Sequence, residues 1–192
     1  MRNLKVVSFD PSTSNWGICK ANIDLFTSEV SIDDLILVHT ESEKLKGVRK
    51  DSDDIRRAKE VRHGMMEACK GAAIAISEIP FMNPGGYPAA NYNTGLVVGV
   101  LSSCPIPLIQ VFPKDVKLAS VGVKNAAKEE IIEWAMNKFP AAPWKMRKLR
   151  GNMVPTKDNE HLADAVAAIF AAMETAQFQQ MVSMYNSMKE AA

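Results

Sequence analysis

Three short apolar runs with the composition of strands occupy the first forty residues. They cover Leu4 to Asp10, Trp16 to Ile23 and Leu35 to Thr40, and segments rich in turn-forming residues separate them. Successive strands joined by short turns pair antiparallel. The pattern therefore predicts a three-stranded antiparallel meander.

The middle of the chain alternates helical and strand-like patterns. An amphipathic helix is predicted over Asp51 to Lys70, and a strand buried on both faces over Ala72 to Ile79. After a loop at Met82 to Pro88, a mostly apolar helix is predicted over Ala89 to Cys104 and another buried strand over Pro107 to Phe112. Strands that alternate with helices pair in parallel. This order of elements is that of an α/β protein with an RNase H-like mixed five-stranded sheet, three antiparallel strands then two parallel, flanked by helices, and the pattern alone leaves the topology open.

The last third of the chain is predicted to be helical, with one interruption. Helices are expected over Pro113 to Ser120, from an Asn125 cap to about Phe139, over Asn159 to Met173, and in a Gln- and Met-rich extension over about 176–192. The interruption, Pro140 to Lys157, is Pro-rich and basic and is interpreted as an exposed loop. Residues 1–192 are expected to form a single domain.

Composition narrows the class of protein. Apolar residues make up 47% of the chain and charged residues 23%, which is typical of a globular protein. A net charge of +1 predicts no global attraction to nucleic acid, so DNA binding would need local clusters of Lys and Arg. Cys19, Cys69 and Cys104 are too widely spaced to suggest a disulfide framework or a zinc site. We expect a soluble, cytoplasmic protein with no targeting signal and no membrane partner.

Three acids lie far apart in the sequence but in well-defined elements. Asp10 ends the first strand, Glu78 lies near the end of the fourth, and Asp164 lies in a late helix. An unpaired carboxylate within an apolar strand costs several kcal/mol, so Glu78 in particular needs a functional reason. If the first and fourth strands are adjacent and parallel, Asp10 and Glu78 emerge at the same edge of the sheet.

His161 lies three residues before Asp164 and therefore on the same helix face. A cluster of Asp10, Glu78, His161 and Asp164 would repel itself without a cation, and its oxygen ligands suit Mg²⁺ or Mn²⁺. The predicted chemistry is phosphodiester hydrolysis with two metal ions. Taken singly, Asp10 could be only a turn former and His161 only a helix cap.

Four sequence blocks resemble the RuvC family of Holliday junction resolvases, over the chain to about residue 174. Ser8 to Ser12 resembles the family's first strand with its Asp-Pro-Gly-Ser motif, and Ile76 to Phe81 resembles the strand with the second acid and a following aromatic residue. Pro113 to Lys128 resembles a basic segment, and His161 to Ala165 resembles the closing helix. A phage or other viral member is one candidate source.

The resemblance implies a homodimeric nuclease that binds a four-way DNA junction and nicks it symmetrically. Asp10, Glu78, His161 and Asp164 would bind metal and catalyse. Among predicted DNA contacts, Phe81 would stack on opened bases, and two lysines would contact phosphates near the cleavage point; these are Lys117 and Lys128. A helicase partner remains unknown.

Two further expectations combine these residues with the dimer and the junction that the resemblance implies. The cations of the 140–157 segment are predicted to grip a junction arm; they are Lys145, Arg147, Lys148 and Arg150. The helix Ala89 to Cys104 is the predicted dimer interface, although its apolar surface could instead pack on its own sheet.

Two departures from the family pattern change the expectations. Ser12 replaces the glycine that should follow Asp10 and Pro11, and its hydroxyl can hydrogen-bond the turn. His161 replaces an acid, and imidazole is a poor Mg²⁺ ligand, so His161 favours Mn²⁺ tolerance or a role in orienting water.

Three other functions remain open on the sequence. One is a nuclease of the same fold that acts on flaps, single strands or RNA/DNA hybrids. Another is an actin-like nucleotide-binding protein, against which the missing second Gly-rich phosphate loop argues. The third is a non-catalytic DNA-binding module whose acids pair with nearby cations.

Overall fold

The computed structural model describes residues 3–80 and 85–190, with side chains at 186 and 188–190 undescribed. The strands are β1 (Asn3–Asp10), β2 (Asn15–Asp24), β3 (Val30–His39), β4 (Ile74–Glu78), β5 (Leu108–Val111), β6 (Met146–Leu149) and β7 (Asn152–Pro155). The helices are α1 (Lys50–Cys69), α2 (Pro88–Leu101), α3 (Pro113–Val121), α4 (Lys128–Lys138), α5 (Asn159–Met173) and α6 (Ala176–Glu190).

Strands β1 to β5 form one mixed sheet in the order β3-β2-β1-β4-β5. Strand β2 pairs antiparallel with β1 and β3, whereas β4 pairs parallel with β1 and β5. The predicted fold class is confirmed. Strand β3 begins at Val30, five residues before the predicted start, because Asp33 and Asp34 lie on it as exposed residues and interrupt the apolar run.

Helices cover both faces of this sheet. Alternate residues of each strand point to opposite faces, so Val6 packs in a core with α3, α4 and α5, whereas Val7 packs in a second core with α1 and α2. The first core includes most of α5. Both faces of β1 and β4 are therefore buried, which explains their continuous apolar sequences.

The prediction of an exposed loop over Pro140 to Lys157 is wrong, because residues 146–155 form the β-hairpin β6–β7. Leu149 pairs with Asn152, which leaves Arg150 and Gly151 as a two-residue turn with φ of 48° and 89°. Two positive φ values define the type I′ turn that suits a tight hairpin. The prediction failed because the charged residues conceal the short strands.

The predicted Asn125 cap is also wrong. Helix α4 begins at Lys128 with Ala127 as its capping residue. The Glu130 carboxylate accepts a hydrogen bond from the Ala127 backbone N–H at 2.6 Å. A side chain inside the first turn therefore satisfies the backbone that Asn125 was expected to cap.

Membrane insertion finds no support in the part of the chain that is described. None of the helices within 3–80 and 85–190 combines the length and the apolar character that a bilayer span requires.

Candidate active site

The parallel pair β1 and β4 ends at one edge of the sheet with a carboxylate on each strand. Phe9 pairs with Ser77, and Asp10 and Glu78 are the last residues of their strands. Both side chains face a cleft of about 280 Å³ that Asp164 of α5 also lines. The structure thus brings together three acids separated by 68 residues or more of sequence, since Asp10 and Glu78 are the nearest two.

Helix α5 reaches this edge because it lies directly on β1 and β2. The Ser8 hydroxyl donates a hydrogen bond of 2.5 Å to the Ala165 carbonyl, which fixes β1 to the residue after Asp164. A Cβ at Gly17 would lie 2.2 Å from the His161 carbonyl oxygen. Only glycine permits this approach, so Gly17 allows the start of α5 to seat on the sheet.

His161 and Asp10 are bonded side chain to side chain. The His161 Nδ1 and the Asp10 Oδ2 are 2.6 Å apart, and both side chains are about four-fifths buried, with exposures of 23% and 18%. The hydrogen bond to Asp10 raises the pKa of His161, against the opposing effect of burial. The pair orients the imidazole ring and holds one Asp10 oxygen.

Glu78 and Asp164 hold protons unusually tightly. Burial, followed by repulsion from Asp10 and Asp164, raises the pKa of Glu78 to about 8. Burial, followed by repulsion from Asp10 and Glu160, raises the pKa of Asp164 to about 7. Carboxyl groups with such pKa values crowd a site that lacks enough positive charge.

The turn after β1 is fixed by polar contacts on both sides. The Ser12 hydroxyl accepts hydrogen bonds from the backbone N–H of Asn15 and Ser14 and donates one to the Asn15 carbonyl. This fulfils the role expected of Ser12 where the family has glycine. The buried Arg57 of α1 donates to the Thr13 carbonyl and to the Ser14 hydroxyl at 2.7 Å. The backbone that carries Asp10 is therefore held by α1 as well as by the sheet.

Two predicted DNA contacts, Lys117 and Lys128, also line the cleft. Lys117 lowers the pKa of Glu78, although burial and the neighbouring acids outweigh it. Lys128 forms an ion pair with Glu160, which also faces the cleft. The mouth of the cleft therefore carries cations beside its acids.

The remaining predicted DNA contacts lie away from the cleft lining or outside the described residues. Phe81 falls in the segment 81–84, outside the described residues. Arg147, Lys148 and Arg150 are exposed on hairpin β6–β7. Lys145, at the base of the hairpin, lies 3.8 Å from the Asp158 carboxylate.

The donor set at the cleft suits a hard divalent cation. Within the described residues, no group of three or more His, Cys, Asp or Glu side chains is close enough to enclose an ion. Mg²⁺ commonly binds through one or two carboxylates and completes its shell with water and substrate phosphates. The crowded acids of Glu78 and Asp164 fit such an open site, because a cation would relieve the repulsion that raises their pKa values.

No protein-family model and no curated protein sequence matches the chain. The fold does match solved structures. A Thermus thermophilus RuvC in complex with a Holliday junction substrate superposes with a TM-score of 0.62 at 18% identity, over 88% of this chain and 92% of that one. Another Thermus thermophilus RuvC structure gives a TM-score of 0.57 at 17% identity, with the same coverage. The chain has the RNase H-like fold of RuvC.

Sequence reasoning missed several residues that position the site on this RuvC fold. Ser8 and Gly17 carried usable signals, because a polar residue in an apolar strand and a glycine within a strand both suggest a close contact. Arg57 carried none, since it reads as one more cation on an amphipathic helix. Asn159 was identified only as a helix start, although its buried side chain ties hairpin β6–β7 to α5.

Proposed function

We propose that the protein is a crossover junction endodeoxyribonuclease, which resolves four-way DNA junctions by paired symmetric nicks. The observation that carries the proposal is the convergence of Asp10, Glu78 and Asp164, with His161, at one edge of a RuvC-like sheet. One solved structure with this fold, a Thermus thermophilus RuvC, is a complex with a Holliday junction substrate. The acidic cleft and its flanking lysines suit a phosphodiester substrate.

The acids of the cleft would hold Mg²⁺ or Mn²⁺, two ions per site. Asp10, Glu78 and Asp164 are the proposed ligands, with His161 as a fourth. Bound ions would clamp the scissile phosphate, help to activate water for in-line attack and stabilise the leaving 3′ oxygen.

The contact of His161 Nδ1 with Asp10 supports an alternative to metal binding, because the remaining Nε2 atom cannot hold an ion and accept a proton at the same time. When Nδ1–H donates to the Asp10 carboxylate, the Nε2 atom of a neutral imidazole is an acceptor. His161 can then take a proton from water while it holds the Asp10 carboxylate in place. Lys117 and Lys128 are proposed to bind the phosphates on either side of the cut. Phe81 would stack on bases at the opened junction centre.

Symmetric nicking needs two sites, and α2 supplies a candidate dimer interface. Its outer face is apolar and open: Val98 is 42% exposed, and apart from adjacent residues and the helix's own backbone no described atom lies within 4 Å of a Cβ built on Gly95 or Gly99. Small residues there would let two α2 helices approach closely. Val98→Asp should convert the dimer to a folded monomer in light scattering, whereas Met184→Asp, on exposed α6, should leave the dimer intact.

The test of function compares substrates with and without a four-way branch. The protein should nick a four-way junction in Mg²⁺ or Mn²⁺ far faster than linear duplex, a flap, single strands or an RNA/DNA hybrid. Chelation should abolish nicking. A preference for a flap or a hybrid would replace the resolvase proposal with another nuclease of the same fold.

Matched variants then test the site. Asp10→Asn and Glu78→Gln should abolish nicking and leave junction binding largely intact, because both changes keep the side-chain shape and remove the charge. Glu133→Gln, on the exposed face of α4, is the control and should retain full activity. Full activity in Asp10→Asn or Glu78→Gln would refute the assigned site.

A further inference from the structure

Hairpin β6–β7 has the surface of a binding element rather than of a packed one. Seven of its eight strand residues are exposed, and only Val154 is half-buried. Its large apolar side chains are among the exposed ones, with Met153 61% and Met146 40% exposed. An exposed cluster of methionine and leucine side chains on so short a hairpin indicates a surface that binds a partner.

Charge on the hairpin narrows the chemistry of that partner. Arg147 and Lys148 lie on β6, and Arg150 lies in the turn. Among the described residues, no carboxylate forms an ion pair with these three cations. The register places Lys148 opposite Met153 on one face and Arg147 opposite Val154 on the other. Each face therefore combines a free cation with apolar side chains.

The hairpin is attached rigidly to the helix that carries the site. The buried Asn159 side chain accepts a hydrogen bond from the Lys145 N–H and donates one to the Lys145 carbonyl, both at 2.9 Å. The Thr156 N–H donates to the same carbonyl, which closes the base of the hairpin. Asn159 lies two residues before His161 on α5. A molecule held by the hairpin is thus held in fixed register with the cleft.

We propose that hairpin β6–β7 is a DNA-positioning ribbon, which enters a groove of the duplex arm beside the cleavage point and presses Met153 and Met146 against a base-pair step. Two-stranded ribbons fit DNA grooves, and methionine or leucine wedges open base steps while cations contact the phosphates. The inference rests on the proposed function, since it takes DNA as the substrate of the cleft. The ribbon residues are positioning residues, which set where along the arm the strand is cut.

A second copy of the chain suits this surface less well than DNA does. Pairing two such ribbons would bring the Arg147, Lys148 and Arg150 groups of both copies together without carboxylates between them. Like charges across a strand pair destabilise it. Phosphates remove this repulsion, so the charge pattern favours a polyanion.

The experiment measures base stacking in an uncut complex. Four-way junctions carrying the fluorescent adenine analogue 2-aminopurine at successive positions of one arm are bound to the full chain in EDTA. Insertion should raise the fluorescence several-fold at one or two adjacent positions, because unstacked 2-aminopurine emits more strongly. Met146→Ala with Met153→Ala should remove that local signal. Met184→Ala, which truncates a methionine 67% exposed on α6, should keep it.

The cations are tested separately through the salt dependence of binding. Arg147→Ala with Lys148→Ala should reduce the slope of log affinity against log salt by about 1.8, from two lost phosphate contacts. The control is Lys5→Ala with Lys20→Ala. It removes two charges from strands β1 and β2, at positions that do not line the acidic cleft. It should leave the slope unchanged.

With Mg²⁺ or Mn²⁺ present, the methionine variants should still nick DNA but at scattered positions.

The outcomes separate this inference from the proposed function. A fluorescence map that is flat, or that the methionine variants do not change, overturns the ribbon even if the protein cuts junctions. Conversion of a dimer to a monomer by the methionine variants overturns it in favour of self-association. A local signal on linear duplex arms, without any junction cleavage, supports the ribbon and refutes the resolvase.

Discussion

Helix α5 buries ten of its fifteen residues, whereas helix α2 buries three of its fourteen, Val97, Val100 and Leu101. Both sequences are dominated by apolar and small residues. The difference lies in their surroundings: α5 packs on the sheet and against α3 and α4, whereas the main helix contact of α2 is with α1. Apolar composition therefore shows that a helix must be covered, but not by what.

The two helices also differ in charge, and this difference agrees with the roles proposed for them. Helix α5 carries His161 and Asp164 into the cleft at its amino-terminal end. Helix α2 contains no Asp, Glu, Lys or Arg. We expect changes on α5 to alter chemistry and folding, and changes on α2 to alter assembly.

The largest expected effect is on catalysis through α5. Asp164→Asn should lower the nicking rate at least about 10³-fold, or roughly 4 kcal/mol in activation free energy, because it removes a proposed metal ligand. Junction affinity in EDTA should change little. The measurement is single-turnover cleavage of a labelled four-way junction.

The control for Asp164→Asn lies at the other end of the same helix. Glu174→Gln removes a similar charge at the carboxyl-terminal cap of α5, far along the helix from the cleft. It should cleave at the normal rate. Equal losses in both variants would mean that α5 matters only for packing.

A second prediction concerns how α5 is seated. Gly17→Ala places a methyl group 2.2 Å from the His161 carbonyl oxygen, a backbone atom that cannot move without shifting α5. We expect a loss of about 3 kcal/mol in the free energy of unfolding. For a chain of this size, this loss lowers the melting temperature by roughly 10 °C. An unchanged melting temperature would show that α5 does not lie this close to β2.

The energetic cost of burying the Glu78 carboxylate made it possible to predict part of the candidate site from the sequence. A Glu in the apolar strand β4 required a partner, and Asp10 and Asp164 supply its crowded neighbours. The order of strands and helices, together with the resemblance to the RuvC family, predicted the five-stranded sheet and its parallel half. These predictions succeeded because alternation and burial are local properties that the sequence carries directly.

Other features depend on contacts that local patterns do not encode. The hairpin was missed because its strands are four residues long and its turn, Arg150 and Gly151, lacks the usual Asn-Gly pair. The open outer face of α2 could not be distinguished from a core face, since only the final packing leaves Val98 exposed. The Asn159 contact with Lys145 joins an apparent loop to a helix and has no periodic signature.

A third prediction concerns the pH dependence of stability, which arises from the ionisable groups of the cleft beside α5. Helix α2 has no Asp, Glu, Lys or Arg and so contributes no such dependence. Native Glu78, with a pKa of about 8, and Asp164, with a pKa of about 7, keep protons that the unfolded chain loses near pH 4. The raised pKa of His161 acts in the same direction above pH 6.5. The native state therefore binds more protons over this range, so stability must fall as pH rises from 5 to 8.

In EDTA, the melting temperature should drop by at least roughly 5 °C between pH 5 and pH 8, measured by calorimetry. Mg²⁺ or Mn²⁺ should restore more stability at pH 8 than at pH 5, because the ions compete with protons for the carboxylates. Asp164→Asn should flatten the profile. A melting temperature that rises from pH 5 to pH 8 would contradict the crowding of these acids.

The smallest expected effect is on α2. It comes from a glycine-to-alanine substitution, the same type of change that at Gly17 should disturb the packing of α5 on the sheet. Gly95→Ala adds a methyl group in the interior of a helix, where no described atom beyond adjacent residues and the helix's own backbone lies within 4 Å. Alanine exceeds glycine in helix propensity by about 1 kcal/mol, so the change should stabilise the folded monomer and raise its melting temperature by roughly 2 °C. The gain should be measured in a Val98→Asp background, where the proposed dimer is absent. In the dimer the same methyl group would enter the contact between two α2 helices, and the gain should shrink or reverse. A loss of stability in the monomer would instead mean that the chain itself covers this face, and α2 would then belong to the core as α5 does.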